Sequence, residues 1–224
     1  MIATSDTTIL PCSTHLQLLT LEDLNRQGVA TDDVLAAIGK IDCATIQGMT
    51  RRFVGHPDQW ADVLRNGTQG LMLLADGASV VGYWQFVALD DDTFDRALIG
   101  ALFDDEISST NTRSLTAPGS IRICVVGVSV LAAYRRLAGR RLLYEGFGRV
   151  LAKLADAGVF VREICATAHT LEGIALARSF GLRCVCKHAE HGSVYHGQMA
   201  DAMPQILRAM PGLADHFRPQ GVLA

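Results

Sequence analysis

The sequence lacks three features that would assign it to a familiar class. It contains no run of about 18 apolar residues, which excludes a membrane-spanning helix. Its formal net charge is -3, whereas a nucleic-acid-binding protein would carry a basic excess. The opening stretch, MIATSDTTILPCS, has no basic segment followed by an apolar one. We therefore expect no secretory signal and a cytoplasmic location.

Cysteine and nucleotide-binding glycine motifs are also scarce. Six cysteines in 224 residues are too few for a disulfide scaffold, and we expect them to be reduced thiols. Neither G-x-x-x-x-G-K-[ST] nor G-x-G-x-x-G after a strand occurs. Their absence disfavours a nucleotide hydrolase and a dinucleotide-dependent enzyme.

The order of apolar patterns predicts a mixed α/β sheet flanked by helices. Helical patterns lead to a hairpin turning at Asp76-Gly77, and two strand-helix units and a second hairpin near His191-Gly192 follow. We expect one domain over residues 1–200, with a helical portion at about 20–66, a core at about 70–199 and a helical tail at 201–224. Three local expectations concern a short helix within 93–103, a mobile loop over 108–120 and a tail that Pro204 and Pro211 break.

Four arginines surround one glycine where the apolar strand IRICVVGVSVL gives way to a helix. A helix N-terminus presents unpaired N–H groups and a positive dipole end, which together favour phosphate. Small residues would let the backbone approach such a ligand, and the arginines would add charge-assisted contacts. The alternative is a solvated helix start whose arginines cover neighbouring carboxylates. The residues concerned are Arg135, Arg136, Ala138, Gly139, Arg140 and Arg141.

The same run resembles the coenzyme A signature of the GNAT acyltransferase superfamily, V-x-P-x-Y/W-R followed by x-x-G-x-G/A and a helix. Val130, Tyr134 and Arg135 match that signature, while Ala132 stands where proline is usual. A second family motif, N-x-x-A-x-x-x-Y-x-x-x-G-F, is similar to the stretch that begins at Thr170. The resemblance covers about residues 70–199.

This resemblance implies a GNAT-like central sheet and transfer of an acyl group, most simply acetyl, from acyl-CoA to an amine. The amine would attack directly in a ternary complex, with no metal. The donor's pantetheine would lie along the central strand, and a backbone N–H near Val130 would stabilise the oxyanion. The implied coenzyme-binding residues are Val128, Ser129, Val130, Arg135, Arg136, Leu137, Ala138, Gly139, Arg140, Arg141 and Thr170.

Proton transfer has three candidates, His169, Tyr195 and His196. Histidine suits this role because its ordinary pKa lies near neutrality. The alternative for His169 is that it only caps the helix that begins at Thr170. The tyrosine with which the family commonly protonates the departing thiolate is replaced here by Ala177.

Three other patterns have competing interpretations. Cys184, Cys186 and His188 alternate along one strand, which suits either zinc or small buried side chains, and we prefer the latter. Cys124 lies in a central strand, where an inert buried thiol is expected. The acidic run at residues 90–92 could attract an amine, but we expect a solvated loop.

The departures from the signature leave two other functions open. A degraded glycine loop also occurs in the family's relatives that use acyl carrier protein, such as acyl-homoserine-lactone synthases and N-acyl amino acid synthases. The chain would then be a long-chain N-acyl synthase with acyl carrier protein as a partner. Alternatively, it is a catalytically silent domain that binds coenzyme A or a partner protein. The expected partners are a small-molecule or peptide amine and a second copy in a homodimer, with no nucleic acid and no membrane span.

Overall fold

The computed structural model describes residues 16–46, 48, 50–67, 69–135, 140–209 and 211–214, and this part of the chain contains seven strands and eight α-helices. The strands are β1 Leu16–Leu19, β2 Gln69–Asp76, β3 Ser79–Leu89, β4 Gly119–Val130, β5 Val159–Ala168, β6 Arg183–Lys187 and β7 Ser193–Gln198. The helices are α1 Leu21–Arg26, α2 Thr31–Thr45, α3 Arg51–Val54, α4 Pro57–Arg65, α5 Asp91–Leu98, α6 Arg140–Asp156, α7 Leu171–Ser179 and α8 Met199–Ala209. Short 3-10 turns cover Asp104–Glu106, Ala132–Tyr134 and Pro211–Leu213.

The strands form one mixed sheet in the order β1-β2-β3-β4-β5-β7-β6. Each neighbouring pair is antiparallel except β4 and β5, which are parallel and joined through α6. A parallel pair needs a crossover of this kind because its strands start at the same edge of the sheet. The predicted mixed α/β sheet flanked by helices is confirmed.

Strand β3 shows how the sheet separates two cores. Its side chains alternate, so Trp84 and Phe86 contact the core beneath α6, α7 and α8, while Tyr83 and Val87 contact the core beneath α1, α2, α4 and α5. The ring centroids of Trp84 and Phe147, on α6, are 4.3 Å apart. Both faces of the central strands are therefore buried, which explains their continuous apolar runs.

The two predicted hairpin turns are confirmed. The β2–β3 hairpin turns at Asp76-Gly77, where Gly77 has a φ of +59° that a side chain would disfavour. Thr170 caps α7, because its Oγ1 accepts the N–H of Gly173 at 3.0 Å. The β6–β7 hairpin contains His191-Gly192 as expected.

The acidic run at residues 90–92 was wrongly expected to be a loop. Asp90 is the N-cap of α5, and its Oδ1 accepts the N–H of Thr93 at 2.7 Å. Acidic side chains in the first turn also complement the helix dipole. The helix consequently occupies 91–98, earlier than the expected 93–103, and residues 119 and 120 of the expected loop belong to β4.

The tail differs from expectation at Pro204, because α8 continues through it, whereas a separate 3-10 turn begins at Pro211 as expected. Proline removes one helical N–H bond, but the helix buries Ala202 and Ile206 completely against α6 and the sheet. That apolar contact outweighs the missing bond. No helix in the described residues is both long enough and apolar enough to cross a bilayer.

Candidate active site

The parallel strands β4 and β5 separate halfway along their length. Their pairing runs from Gly119↔Val159 to Val125↔Ala166 and stops there, while β4 continues to Val130 in contact with β3 alone. Val126 is an extra residue in this ladder, because Phe86 pairs with Val125 and Gln85 pairs with Gly127. Such a bulge bends a strand, and the last five residues of β4 border an opening in the sheet.

The hydrogen-bonding direction along β4 leaves two amides facing this opening. The N–H of Leu131 donates to the carbonyl oxygen of Val81 at 2.9 Å. Because directions alternate in an antiparallel ladder, Gly127 and Ser129 also face β3, whereas Val128 and Val130 face the opening. The Val130 carbonyl already accepts the Nε of Arg135 at 2.9 Å. The edge can therefore receive an extended ligand at the N–H groups of Val128 and Val130.

A cavity of about 410 Å³ lies at this opening and reaches both faces of the sheet. Its wall on one face includes Trp84, Ala177, Phe180 and Leu182, which are buried and apolar. Its wall on the other face comes from the helices before residue 66 and the segment after α5. A pocket with an apolar wall and few polar groups is the usual form of a small-molecule site.

One group of polar residues joins α2 to the two strands at the cavity. The Tyr83 hydroxyl donates to Asp42 Oδ1 at 2.6 Å, and Thr45 donates to the Ser129 hydroxyl at 3.2 Å. Asp42 is only 5% exposed, and burial raises its pKa to about 6 although the hydrogen bonds from Tyr83 and Ser129 oppose that shift. Burial, and next the charge of Asp42, raise the pKa of Tyr83 well above its ordinary value.

A second carboxyl group, that of Asp104, reaches the cavity from the 3-10 turn after α5. Desolvation of this carboxyl group raises its pKa well above the usual range, and the neighbouring charges of Asp42 and Asp105 act in the same direction. Among the described residues, no lysine or arginine forms an ion pair with Asp42 or Asp104. This end of the cavity therefore carries acidic groups without a cation.

His169, the first predicted proton carrier, lies in the cavity wall. Its ring packs edge-on against Phe53 with centroids 4.6 Å apart, and its Nδ1 is buried without a hydrogen-bond partner in the described structure. Burial lowers its pKa to about 4, and the charges of His191 and His188 add to that effect. The ring is therefore neutral at pH 7. The cap of α7 is supplied by Thr170 rather than by this ring.

The other two predicted proton carriers lie elsewhere on β7. Tyr195 is buried in the core beneath α6 and α8, and it does not line the cavity. His196 points to the opposite face, where its Nε2 lies 3.0 Å from Glu163 Oε2. The structure thus does not bring His169, Tyr195 and His196 together, and their catalytic roles stay predictions.

The predicted coenzyme-binding residues fall into two groups. Val128, Ser129, Val130, Arg135 and Thr170 all line the cavity. Arg136, Leu137, Ala138 and Gly139 lie outside the described residues. Arg140 and Arg141 begin α6, but their side chains also lie outside the described part.

The strand suggested as a zinc site shows no metal-binding geometry. Cys184 is exposed, the Sγ of Cys186 donates to the Leu98 carbonyl at 3.3 Å, and the Nε2 of His188 lies 2.9 Å from the Leu102 carbonyl. Within the described residues, no three His, Cys, Asp or Glu side chains are placed to hold a metal ion. The expectation that both cysteines are buried is wrong, because β6 is an edge strand with a register shift between them.

The acidic residues of the cavity were missed in the sequence, although Asp42 carried a readable signal. It follows Ile38 and Ile41 on the buried stripe of α2, where a charged side chain is unusual. Asp104 lies in an irregular segment, and its proximity to Asp42 depends on the tertiary fold.

Comparisons with known proteins give the following. No family model and no curated protein matches the chain. Among solved structures, a Staphylococcus aureus Mu50 acetyltransferase of the GNAT family is 14% identical, with 83% of this chain and 99% of that chain covered and a TM-score of 0.49. The Escherichia coli GNAT-family N-acetyltransferase YhbS in complex with CoA is 14% identical, with 84% of each chain covered and a TM-score of 0.47.

The ribosomal-protein-S18-alanine N-acetyltransferase of Escherichia coli is 12% identical, with 83% of this chain and 94% of that chain covered and a TM-score of 0.45. At such values a likeness does not assign an activity. The function therefore has to be inferred from the residues of the cavity. In the arrangement of its sheet, the chain is similar to GNAT-family acetyltransferases of known structure.

Proposed function

We propose that this chain transfers an acyl group, most simply acetyl, from acyl-CoA to an amine. The observation that carries the proposal is the open edge of β4, where the N–H groups of Val128 and Val130 face a cavity between two separated parallel strands. Pantetheine contains two amide groups in an extended chain and can pair with such an edge as a strand would.

Arg135 supports the phosphate end of this proposal. Its Nε is fixed on the Val130 carbonyl at 2.9 Å, which leaves its other guanidinium N–H groups for a donor phosphate. The arginine-rich segment that follows was predicted to contribute in the same way. Since Arg135 lines the cavity beside the open edge, charge and strand pairing would act on the same ligand.

The chemistry requires no nucleophile from the protein. The amine would attack the thioester carbonyl while the N–H of Val130 stabilises the developing oxyanion. The acceptor would be a small-molecule or peptide amine. The cytoplasmic location and the homodimer expected from the sequence stay predictions.

Each of the two alternative functions is supported by one observation. The apolar wall of Trp84, Phe180 and Leu182 favours an acyl chain longer than acetyl, as in a synthase that uses acyl carrier protein or long-chain acyl-CoA. The small side chain of Ala177, where the resemblance places a tyrosine acid, favours a silent binding domain.

Thermal unfolding with coenzyme A, acetyl-CoA and a long-chain acyl-CoA tests the proposal. A ligand at about 100 times its Kd stabilises the native state by roughly 2.7 kcal/mol. We expect all three to stabilise the protein, and Arg135→Ala to weaken the effect while Arg65→Ala, an exposed change in α4, leaves it intact. Stabilisation by the long chain alone would favour the synthase, and stabilisation without acyl transfer to any amine would favour the silent domain. No stabilisation by any of them would contradict the coenzyme site.

A further inference from the structure

The two carboxyl groups of the cavity have no cationic partner among the described residues. Asp42 comes from α2 and Asp104 from the turn after α5, so two separate elements deliver acidic groups to one cavity. Like charges confined together disfavour their own ionisation. A bound cation would relieve this, and no described lysine or arginine supplies one by an ion pair.

Two basic groups near this end of the cavity do not neutralise its acidic residues. The Arg52 guanidinium lies over the Phe103 ring, 3.4 Å from its centroid, and 3.8 Å from Asp105 Oδ2, so it is engaged outside the carboxyl pair. His169 is neutral at pH 7. The end of the cavity away from Arg135 is therefore acidic.

Aromatic rings also line this end of the cavity. Phe53 is buried and lines the cavity, with its ring centroid 4.6 Å from that of His169 and 5.1 Å from that of His188. The Tyr83 ring also lines the cavity, beside Asp42. Aromatic faces attract ammonium groups and also accept an apolar body.

We infer that the acceptor is a monocationic primary amine with an apolar or aromatic body and no anionic group, whose ammonium Asp104 binds and Asp42 deprotonates. This inference rests on the proposed acyl transfer. It names the acceptor class and assigns both carboxyl groups, neither of which the sequence patterns had indicated.

The proton and bond changes balance without another reactant. The Asp42 carboxylate takes one proton from the ammonium, and the free amine attacks the thioester carbonyl carbon. A C–N bond forms and the C–S bond breaks, and the second nitrogen proton goes to the departing thiolate. Asp42 then returns its proton to solvent. Asp42 suits this step better than His169, because its pKa is about 6 and that of His169 is about 4.

The test compares four probes with acetyl-CoA and follows thiol release. The probes are 2-phenylethylamine, hexylamine, L-phenylalanine and 2-phenylethanol. We expect both amines to react, and kcat/KM to fall by roughly 100-fold or more for L-phenylalanine, which adds a carboxylate to the same aromatic body. The alcohol should not react.

Three variants separate the two roles. Asp104→Asn should raise KM for 2-phenylethylamine by about tenfold or more, while Asp33→Asn, the same change at an exposed position in the first turn of α2, should leave KM within about twofold. Asp42→Asn should lower kcat by roughly 100-fold or more with a smaller change in KM. It keeps an oxygen that can accept the Tyr83 hydroxyl, so the fold is retained.

Donor binding and amine binding are measured separately, so that a failure of the inferred acceptor class can be distinguished from a failure of the proposed acyl transfer. Acetyl-CoA should stabilise all three variants as it does the wild type, and calorimetry without donor should show 2-phenylethylamine binding that Asp104→Asn weakens. If acetyl-CoA binds but L-phenylalanine reacts as well as 2-phenylethylamine, or Asp104→Asn behaves like Asp33→Asn, the inference is wrong and the acyl transfer stands. Binding of acetyl-CoA with neither binding nor reaction of any cationic probe overturns it as well. Amine binding without any donor binding would overturn the acyl transfer and the role of Asp42.

Discussion

Gly127 and Tyr83 approach so closely across β3 and β4 that a β-carbon on Gly127 would lie 2.4 Å from the Tyr83 hydroxyl oxygen. The glycine is therefore what lets this hydroxyl lie against the sheet and reach Asp42 at 2.6 Å. We expect Gly127→Ala to displace the ring, to cost about 1–3 kcal/mol of stability and to lower acyl transfer. Chemical unfolding and steady-state kinetics would measure both effects.

Gly39→Ala is the matched control for that change. Gly39 is a helical glycine in α2 with nothing within 4 Å of an added β-carbon. Alanine there should stabilise the protein by about 0.5–1 kcal/mol. If Gly127→Ala were equally harmless, the close approach to Tyr83 would have no importance.

The buried carboxyl group of Asp42 should cost the protein stability as the pH rises from 4 to 8. Its pKa in the folded state is about 6, above the unfolded value near 3.9, so the folded state holds the proton more tightly. The tighter binding of the proton adds to the free energy of unfolding in full below about pH 4, and this addition is lost as the pH rises through about 6. Relative to wild type, Asp42→Asn should therefore gain up to about 3 kcal/mol between pH 4 and pH 8.

Urea unfolding of both proteins across that range measures the gain. Groups that titrate in both proteins cancel in the difference. A difference that stays constant from pH 4 to pH 8 would show that Asp42 has an ordinary pKa. The same variant is expected to lose activity, so stability and function would move in opposite directions at one position.

Removing the Tyr83 hydroxyl should shift the acidic limb of the pH–rate profile to higher pH. Its hydrogen bond lowers the pKa of Asp42 against the opposing effect of burial, and Tyr83→Phe removes that opposition. Measured between pH 5 and pH 9, the acidic limb of kcat/KM should move to higher pH. The variant should therefore lose more of its kcat/KM at low pH than at high pH. Tyr144→Phe, whose hydroxyl lies against Ser179 away from the cavity, should leave the limb in place. Equal profiles for both variants would contradict the role of Asp42.

His169 should contribute the opposite pH dependence of stability. Its folded-state pKa of about 4 is below the ordinary histidine value, so the unfolded state binds the proton more readily. The contribution is complete above pH 6.5 and is lost as the pH falls towards 4. His169→Gln cannot titrate and should remove up to about 3 kcal/mol of this loss. Unfolding at pH 7.5 and pH 4.5 would show the difference, and an unchanged slope would contradict it.

The element order of the fold was predictable because its signals are local. The hairpin turns at Asp76-Gly77 and His191-Gly192 depend on residues a few positions apart. The proline in α8 was misread, because tertiary burial of Ala202 and Ile206 overrides the local preference.

The acidic end of the site could not be predicted in the same way. Asp42 and Asp104 come from separate elements, and only the packing of α2 and the post-α5 turn against the sheet brings them to one cavity. The bulge at Val126 likewise depends on the pairing of β4 with β3, although the neighbouring Gly127 is of a type that often accompanies bulges. The resemblance to a coenzyme signature indicated the end of β4 that borders the cavity, but it contained no information about the opposite end.

The early end of the β4–β5 pairing has a mechanical consequence. Strands β1 to β4 and strands β5 to β7 are joined in the sheet through the first halves of β4 and β5. The two blocks of strands therefore share a short paired segment, and β4 and β5 are unpaired beyond it. A donor bound along Val128 and Val130 would lengthen the paired segment by acting as an additional strand while it is bound. Amide exchange at these two residues would then slow on binding, and the resistance of the two blocks to separation would rise and fall with each catalytic cycle.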